Sequence, residues 1–261
     1  MNDIPHLVLP QVTLVAISSV NLAATVAALE ATLAQVTFSQ AKFLSDRRPP
    51  GLPDVIEWVE IAPLTSSRAY SDFVLHQLAD HVDTRHCLLI QWDGHVISSA
   101  SWRPEFLEYD YLGASWPQFA DGNDVGNGGF SLRSHALLEA CRHAEFCASH
   151  PEDLAIGRHN RRWLESKGLR FAPRVLADAF SAERAGNPAN SFGYHGVWHM
   201  PSLLGPEGFW QIYRGLDERT SVGHDFGTIL QQLARGRGGA SRSLCLLADR
   251  LRDAVRSRMT N

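Results

Sequence analysis

The 261-residue chain lacks an excess of charge of either sign. It has 24 Lys and Arg residues against 28 Asp and Glu residues, which gives a formal net charge of -4. Proteins that bind nucleic acids usually carry a basic excess or a basic stripe. We therefore predict no nucleic-acid partner. The length and the 44% content of hydrophobic residues predict one large globular domain, or one domain with a small appendage.

Cysteine and long apolar runs are also scarce. The four cysteines, Cys87, Cys141, Cys147 and Cys245, form no CxxC pair. This pattern is typical of reduced thiols and not of a disulfide framework. The chain shows no apolar run of about 18 residues, and its first residues lack the basic start of a signal peptide. We expect a cytoplasmic protein.

The first half of the chain alternates between strand and helix patterns. The run "VTLVAIS" is continuously apolar, as strands buried on both faces are, and Asn21 can cap the helix that follows it. Further strands are predicted at "QAKFLSD", "VIEWVEIAPL" and "HCLLIQW", and a second helix at "SDFVLHQLADHV". This order predicts an α/β three-layer domain with a mostly parallel sheet. Such sheets bind ligands beyond the carboxyl ends of their strands.

Asp93, in "QWDGH", follows one of these buried strands directly. A carboxylate at that point can hold a divalent cation that bridges to substrate phosphates. Alternatively, Asp93 and Gly94 form a two-residue hairpin turn, with "HVISSASW" as the returning strand. The local pattern favours neither interpretation.

Three glycines stand in the segment "VGNGGFSLRS", residues 125–134. Asn127 and Gly128 alone are typical of a hairpin turn. However, Ser134 and the helical run "HALLEACRHAEFC" follow closely. Flexible backbone before a helix N-terminus can turn its N–H groups toward a phosphate or a sugar hydroxyl. Both interpretations remain open.

Two further segments carry groups suited to catalysis. Pro151, Glu152 and Asp153 are typical of the first turn of a helix, and one of the two carboxylates can also serve as a general base. In "SFGYHG", His195 stands between two glycines. A histidine beside aromatic residues is often structural, but a neutral imidazole can also complete the coordination of a metal ion.

Over roughly residues 10–200 the chain resembles a family of bacterial and eukaryotic glycosyltransferase-like domains related to the GT-A nucleotide-sugar transferases. The resemblance is carried by "TLVAISSVN", "YSDF", "LLIQWDG", "EFLEYDYLGASWP", "GNGGFSLRS", "PEDLAIG" and "FGYHG". It implies a GT-A-like (Rossmann-like) catalytic domain over residues 1–200. Residues 201–261 then form a helical C-terminal extension packed on that domain.

The resemblance also implies a metal site for Mn²⁺ or Mg²⁺. Asp93 matches the metal-binding carboxylate and His195 the late metal ligand. Gln91 stands where the first acid of a D-x-D segment is usual, so one charged ligand is missing and metal binding should be weaker.

The donor sugar site would be formed by Asn127, Gly128 and Gly129, whose backbone would approach the sugar. Asp153 matches the general base of inverting members, with Glu152 beside it.

Three residues near predicted strand ends, Ser18, Asn21 and Tyr70, are expected to contact the nucleotide, Tyr70 by stacking. The implied reaction moves a sugar, with inversion, from a UDP- or GDP-linked donor to a hydroxyl of a glycan or related acceptor. The alternative is a non-catalytic module that binds a carbohydrate or a nucleotide. A nucleotidyltransferase is disfavoured because "AISSVNLAAT" has no glycine-rich basic loop.

Beyond residue 200 the sequence predicts helices at "GPEGFWQIYRGL" and "DFGTILQQLARG" and an amphipathic helix at residues 240–259. This last helix is expected to dock its Leu and Val face on the main domain. Alternatively, it lies on the inner face of an anionic membrane, although Asp249 and Asp253 dilute its positive charge.

Overall fold

The structure, a computed structural model, describes residues 6–259. The described chain separates into two compact units, one ending at His195 and the other beginning at Gly196. The sequence predicts a boundary at residue 200, a short distance further along the chain. The assignment of a separate function to each unit stays a prediction.

The first unit alternates strands and helices in the predicted order. Its elements are β1 (Leu7–Ile17), α1 (Leu22–Leu33), β2 (Val36–Ser45), β3 (Glu57–Glu60), α2 (Ser67–His76), β4 (His86–Ile90), β5 (Gly94–Val96), β6 (Tyr111–Leu112), β7 (Phe130–Ser134), α3 (His135–Cys141), α4 (Glu152–Leu154), α5 (Arg161–Ser166), α6 (Arg174–Phe180), β8 (Ser181–Ala182) and β9 (Gly193–His195). Short 3-10 turns and one π-turn join several of them.

The central sheet has six strands in the order β3-β2-β1-β4-β7-β6. The first four strands are parallel, whereas β7 runs antiparallel to both β4 and β6. The order 3-2-1-4 is that of a Rossmann-like half. The predicted α/β class with a mostly parallel, Rossmann-like sheet is therefore confirmed.

Helices cover both faces of this sheet. Leu14 packs toward the face of α1 and α6, where Leu29 and Phe180 belong to the same apolar cluster. Its neighbour Val15 packs toward the other face, with Phe73 of α2. Because both faces are covered, residues 12–17 of β1 are all buried without alternation, and all of them except Thr13 are apolar. The three-layer arrangement is the one that the sequence predicts.

Neither predicted hairpin is present. β5, which follows Asp93, pairs with β9 in a separate three-stranded sheet and not with β4, so the strand at "HVISSASW" does not return beside β4. Asn127 and Gly128 form no two-residue turn either, because the connection between the paired strands β6 and β7 spans residues 113–129. Long-range pairing with β9 prevails here over local turn propensity.

The predicted helix starts are partly correct. Ser134 caps α3, because its Oγ accepts a hydrogen bond from the Leu137 N–H at 3.0 Å. The glycines do not directly precede this helix, since β7 lies between Gly129 and α3. Asn21 precedes α1 in a left-handed conformation with φ 51° and makes no side-chain capping bond. Its backbone carbonyl instead accepts from Thr25.

The second unit is helical. It contains α7 (Met200–Leu203), α8 (Gly205–Arg214), α9 (Thr220–His224), α10 (Phe226–Leu233) and α11 (Gly239–Met259), which confirms the three helices predicted there. Its buried apolar side chains include Phe209, Tyr213, Ile229, Leu233 and Leu246. Within the described residues, no helix is long and apolar enough to cross a membrane.

Phe180 is a fully buried ring at the centre of an aromatic cluster, with ring centroids of Phe106, Phe130 and Phe192 at 5.3, 5.2 and 5.8 Å. We expect Phe180→Ala to lower the free energy of unfolding by about 3 to 5 kcal/mol, because it leaves a cavity. Urea denaturation measures this change. Val175→Ala, at an exposed position of the same helix, is the control and should change stability by less than about 0.5 kcal/mol. Equal effects of the two substitutions would contradict this packing.

Candidate active site

The glycine segment lies at the carboxyl end of β4. Because β7 is antiparallel to β4, its first residue, Phe130, pairs with Ile90, the last residue of β4. Immediately beyond this pair the Gln91 N–H donates to the Gly129 carbonyl at 2.9 Å. The fold thus brings two of the predicted segments together at the edge where α/β sheets bind ligands.

A cleft of about 210 Å³ opens at this edge. The residues that line it are Ser67, Tyr70, Ser71, Gln91, Asn127, Gly128, Gly129, His150, Pro151, Glu152, Asp153 and His195. Eight of the site residues expected from the sequence are among them. Asp93 lies next to the cleft, buried beside His195.

Ser18 and Asn21 are not among the residues that line the cleft. Ser18 follows β1, and its Oγ donates to the Val20 carbonyl at 2.5 Å and accepts from the Val20 N–H. Asn21 is buried at the start of α1. Their contact with a nucleotide stays a prediction.

Arg133, on β7, is a fully buried cation below the cleft. Its Nε donates to Ser131 Oγ at 3.0 Å, and its Nη2 lies 3.4 Å from the Gly128 carbonyl and 3.3 Å from Glu152 Oε1. Among the described residues, Glu152 is the carboxylate in ion-pair contact with it. A buried charge is costly unless it is paired, so Glu152 is needed as the counter-charge of Arg133.

Asp153 lines the cleft, and the pKa of its carboxyl group is raised. Its Oδ1 accepts from the Leu154 N–H at 2.7 Å and its Oδ2 from the Gly128 N–H at 3.4 Å. Burial, and then the negative charge of Glu152, raise the pKa of Asp153 to about 6, and the two hydrogen bonds and Arg133 only partly offset this. The group is therefore ionised at neutral pH while remaining an effective proton acceptor.

The two consecutive glycines make room for these side chains. A Cβ on Gly128 would lie 2.7 Å from Glu152 Oε1 and 2.9 Å from Arg133 Nη2. A Cβ on Gly129 would overlap the imidazole ring of His195. The sequence suggested that these glycines admit a ligand. In the structure their immediate neighbours are the side chains of the site.

His195 is held between two acids. The pairing of β5 with β9 sets Gly94 opposite His195, which places the ring's Nε2 3.4 Å from Asp93 Oδ1 and 3.3 Å from Gln91 Oε1. Its Nδ1 lies 3.4 Å from Glu183 Oε1. Burial alone would lower the pKa of His195, but the charges and hydrogen bonds of Asp93 and Glu183 outweigh it and raise this pKa to about 10.

Once His195 loses its Nε2 proton, a metal ion would find an oxygen and nitrogen donor set at this point. The buried Asp93 Oδ1 has His195 Nε2 as its neighbour at 3.4 Å, and the same Nε2 lies 3.3 Å from Gln91 Oε1. The part of the chain that the structure describes holds no group of three His, Cys, Asp or Glu side chains suited to a metal. Asp93 is the single charged oxygen ligand among the three donors, and the binding of a divalent cation here stays a prediction.

Several residues at the site were not expected from the sequence, among them Ser71, His150, Glu183 and Arg133. Ser71 Oγ donates to Glu152 Oε2 at 3.0 Å and also lies 2.8 Å from His150 Nδ1. Glu183 contacts both His195 and the amide of Asn127. Of these residues, only Arg133 could have been noticed in the sequence, because it is a cation within the short strand "FSLRS".

The sequence itself matches one family. Residues 55–195 match the family described as "Protein of unknown function (DUF5672)". This match spans more than half of the chain, and the chain belongs to that family. No curated protein matches it in sequence.

Three solved structures with similar architecture are glycosyltransferases. The mannosyltransferase PcManGT from Pyrobaculum calidifontis, in complex with GDP-Man and Mn²⁺, is 11% identical, with a TM-score of 0.42 over 97% of this chain and 84% of that chain. GlyE from Streptococcus pneumoniae TIGR4 is 9% identical, with a TM-score of 0.42 over 84% of this chain and 64% of that chain. Its apo form is 13% identical, with a TM-score of 0.36 over 60% and 44% of the two chains. Similarity at this level assigns no mechanism to the chain.

Neutralising Glu152 and neutralising Asp153 should change the free energy of unfolding in opposite directions. We expect Glu152→Gln to lower the free energy of unfolding by about 3 kcal/mol, because it leaves the buried guanidinium of Arg133 unpaired. Asp153→Asn should raise it by about 1 kcal/mol at pH 7.5, because a carboxyl whose folded pKa is raised destabilises the fold once it is ionised. Urea denaturation of the two variants measures both changes.

The pH dependence provides the control for this pair. The stability that protonated Asp153 contributes is complete below its unfolded pKa near 4 and is lost as pH rises through about 6. The gain in Asp153→Asn should thus grow between pH 4 and pH 7. A loss of stability in Asp153→Asn as large as in Glu152→Gln would contradict the assigned electrostatics.

Proposed function

We propose that the chain is a glycosyltransferase that moves a sugar from a nucleotide-sugar donor to a hydroxyl acceptor at this cleft, with Asp153 as the general base. The observation that supports this most is the position of Asp153: it lines the cleft, and its pKa is raised to about 6. A general base works best when its pKa lies near the working pH, because it is then both ionised and strongly proton-accepting.

Glu152 is the poorer candidate for the base. One of its oxygens is within 3.3 Å of Arg133, and the other accepts from Ser71. Protonating Glu152 would remove the counter-charge of a buried cation. We assign Glu152 to positioning, because its charge raises the proton affinity of Asp153 and its ion pair fixes the first turn of α4.

The proposed reaction is a single displacement with inversion. Asp153 takes the proton of the acceptor hydroxyl as that oxygen forms a bond to the anomeric carbon, and the bond from this carbon to the nucleoside diphosphate breaks on the opposite face. The electron pair leaves with the diphosphate, which gains negative charge. The donor would be UDP- or GDP-linked, with Tyr70 in the cleft wall as the candidate to stack on the base.

The leaving diphosphate needs positive charge. Neither Lys nor Arg lines the cleft, and the cationic ring of His195 is already paired with Asp93 and Glu183. Gln91, Asp93 and His195 would hold a divalent cation, Mn²⁺ or Mg²⁺. When bound, such an ion would stabilise the departing diphosphate as a Lewis acid. Glu183, by accepting from Nδ1 of His195, would keep the Nε2 atom directed at Gln91 and Asp93.

Gln91 stands where an acid is usual, and this favours a second candidate function. In that case the chain is a module on a GT-A-like fold that binds a carbohydrate or a nucleotide without turnover. Weaker metal binding would remove most of the charge that the leaving group requires. Binding without transfer would distinguish this candidate from the enzyme.

Asp153→Asn should abolish sugar transfer while retaining donor binding, because the amide cannot accept the proton. The measurement is turnover of a nucleotide-sugar panel, paired with calorimetric titration of the same donors. In the wild type the rate should rise with pH through about 6 and then level off, as Asp153 ionises. Asp72→Asn, on the exposed side of α2, is the matched control and should leave the rate unchanged. Normal turnover in Asp153→Asn would disprove the base assignment.

Gln91→Asp should strengthen binding of Mn²⁺ by about tenfold, since it supplies the missing charged oxygen ligand beside Asp93 and His195. Isothermal titration calorimetry, in which Mn²⁺ is titrated into each protein in the absence of substrate, gives the affinities. Gln231→Asp, on the exposed side of α10, controls for added charge. If the two variants bind Mn²⁺ with the same affinity, Gln91 does not belong to a metal site.

A further inference from the structure

Helix α11 carries an exposed apolar stripe. Leu244, Leu247, Leu251 and Val255 are between 41% and 69% exposed. Their spacing of three, four and four residues places them within about 80° of the helix circumference. Most surface helices bury such a stripe against their own domain. The sequence led us to expect that this Leu and Val face is buried, and here it is exposed.

The opposite face of α11 is the one that packs within its unit. Leu246 and Arg242 are buried there. Asp249 accepts from the Tyr213 hydroxyl at 3.0 Å, and Asp253 lies 3.8 Å from Arg219. Both aspartates of the helix are therefore directed away from the apolar stripe. Asp249 still pairs with Arg252 at 3.1 Å, so it offsets part of the positive charge beside the stripe, as the sequence alone predicts.

Arginines border the stripe on both sides. Arg250 stacks over the Phe226 ring at 4.3 Å and donates to the Gly223 carbonyl, which fixes it on one flank. Arg252 lies on the other flank, largely exposed, 3.1 Å from Asp249. At 100° per residue these two positions lie on opposite sides of the stripe, about 60° or less beyond its edges.

We propose that α11 docks on an anionic membrane surface, with the apolar stripe inserted at the boundary between headgroups and acyl chains. The arginines on its flanks would contact lipid phosphates. This combination of an apolar stripe with cationic borders is what interfacial helices show. The helix lies on the membrane, since no described helix is long and apolar enough to cross it.

The flanking charges also argue against a second copy of the chain as the occupant of this face. Helices that pair along an apolar seam carry charges of both signs beside it, so that the partners attract. Arg250 and Arg252, the described charged side chains nearest to this stripe, are both cations, and two copies would bring like charges together. An anionic surface is complementary to all of them.

Flotation of the full chain with lipid vesicles tests the proposal, with phosphatidylcholine alone compared with equal parts of phosphatidylcholine and phosphatidylglycerol. The wild type should bind the anionic vesicles and not the neutral ones. Leu247→Glu with Leu251→Glu should reduce binding at least about tenfold, since two inserted side chains become charged. The matched control is Val55→Glu with Val175→Glu, exposed apolar positions outside α11, which should bind as the wild type does.

Three results would overturn the proposal. One is the absence of binding to anionic vesicles. Another is binding that survives in the leucine variant, which would indicate adsorption by charge alone. The third is a wild-type dimer in sedimentation equilibrium that becomes monomeric in the leucine variant, which would make a second copy the occupant. Each readout is independent of sugar transfer, so the proposed function can fail while membrane docking stands.

Discussion

The buried ion pair of Arg133 and Glu152 is the constraint on which the rest of the site depends. Arg133 has no exposed surface, and Glu152 is the carboxylate in contact with it. A buried guanidinium stays charged and needs a counter-charge, which the ion pair with Glu152 supplies. That fixed negative charge contributes, after burial, to the raised pKa of the neighbouring Asp153. The ion pair therefore commits Glu152 to Arg133, and Asp153 is the carboxylate left as the proposed proton acceptor.

The direction of one strand brings these groups to the cleft. β7 is antiparallel within an otherwise largely parallel sheet, so its first residues meet the carboxyl end of β4. The glycines before β7 can then lie against Glu152 and His195, where any larger residue would overlap their side chains. The second sheet adds His195, because β9 pairs with the strand after Asp93. The proposed base on α4 and the proposed metal ligands, which follow β4 or lie on β9, therefore meet beside the two glycines that precede β7.

The strands β1 to β4 and the helix starts at Ser134 and Pro151 could be predicted from the sequence, since continuous apolar runs and capping residues are local signals. Most residues of the cleft were indicated by the family resemblance and not by such local patterns. The hairpin interpretations of Asp93 and Asn127 were wrong. β5 pairs with β9 about 100 residues further along the chain, and a long loop, residues 113–129, joins β6 to β7, so neither pairing leaves a local signal. Glu183 stands in an ordinary polar segment, and only the folded chain brings it to His195. Arg133 could have been noticed as a cation in a buried strand, but its partner could not.

A crystal structure of the protein with a nucleoside diphosphate and Mn²⁺ would test the central claim, that this cleft is the donor site of a sugar transferase, most directly. The account predicts the diphosphate at the carboxyl end of β4, with Mn²⁺ held by Gln91, Asp93 and His195 and the open side of the diphosphate facing Asp153. A nucleotide bound elsewhere on the chain, or a cleft without nucleotide at saturating concentration, would contradict it.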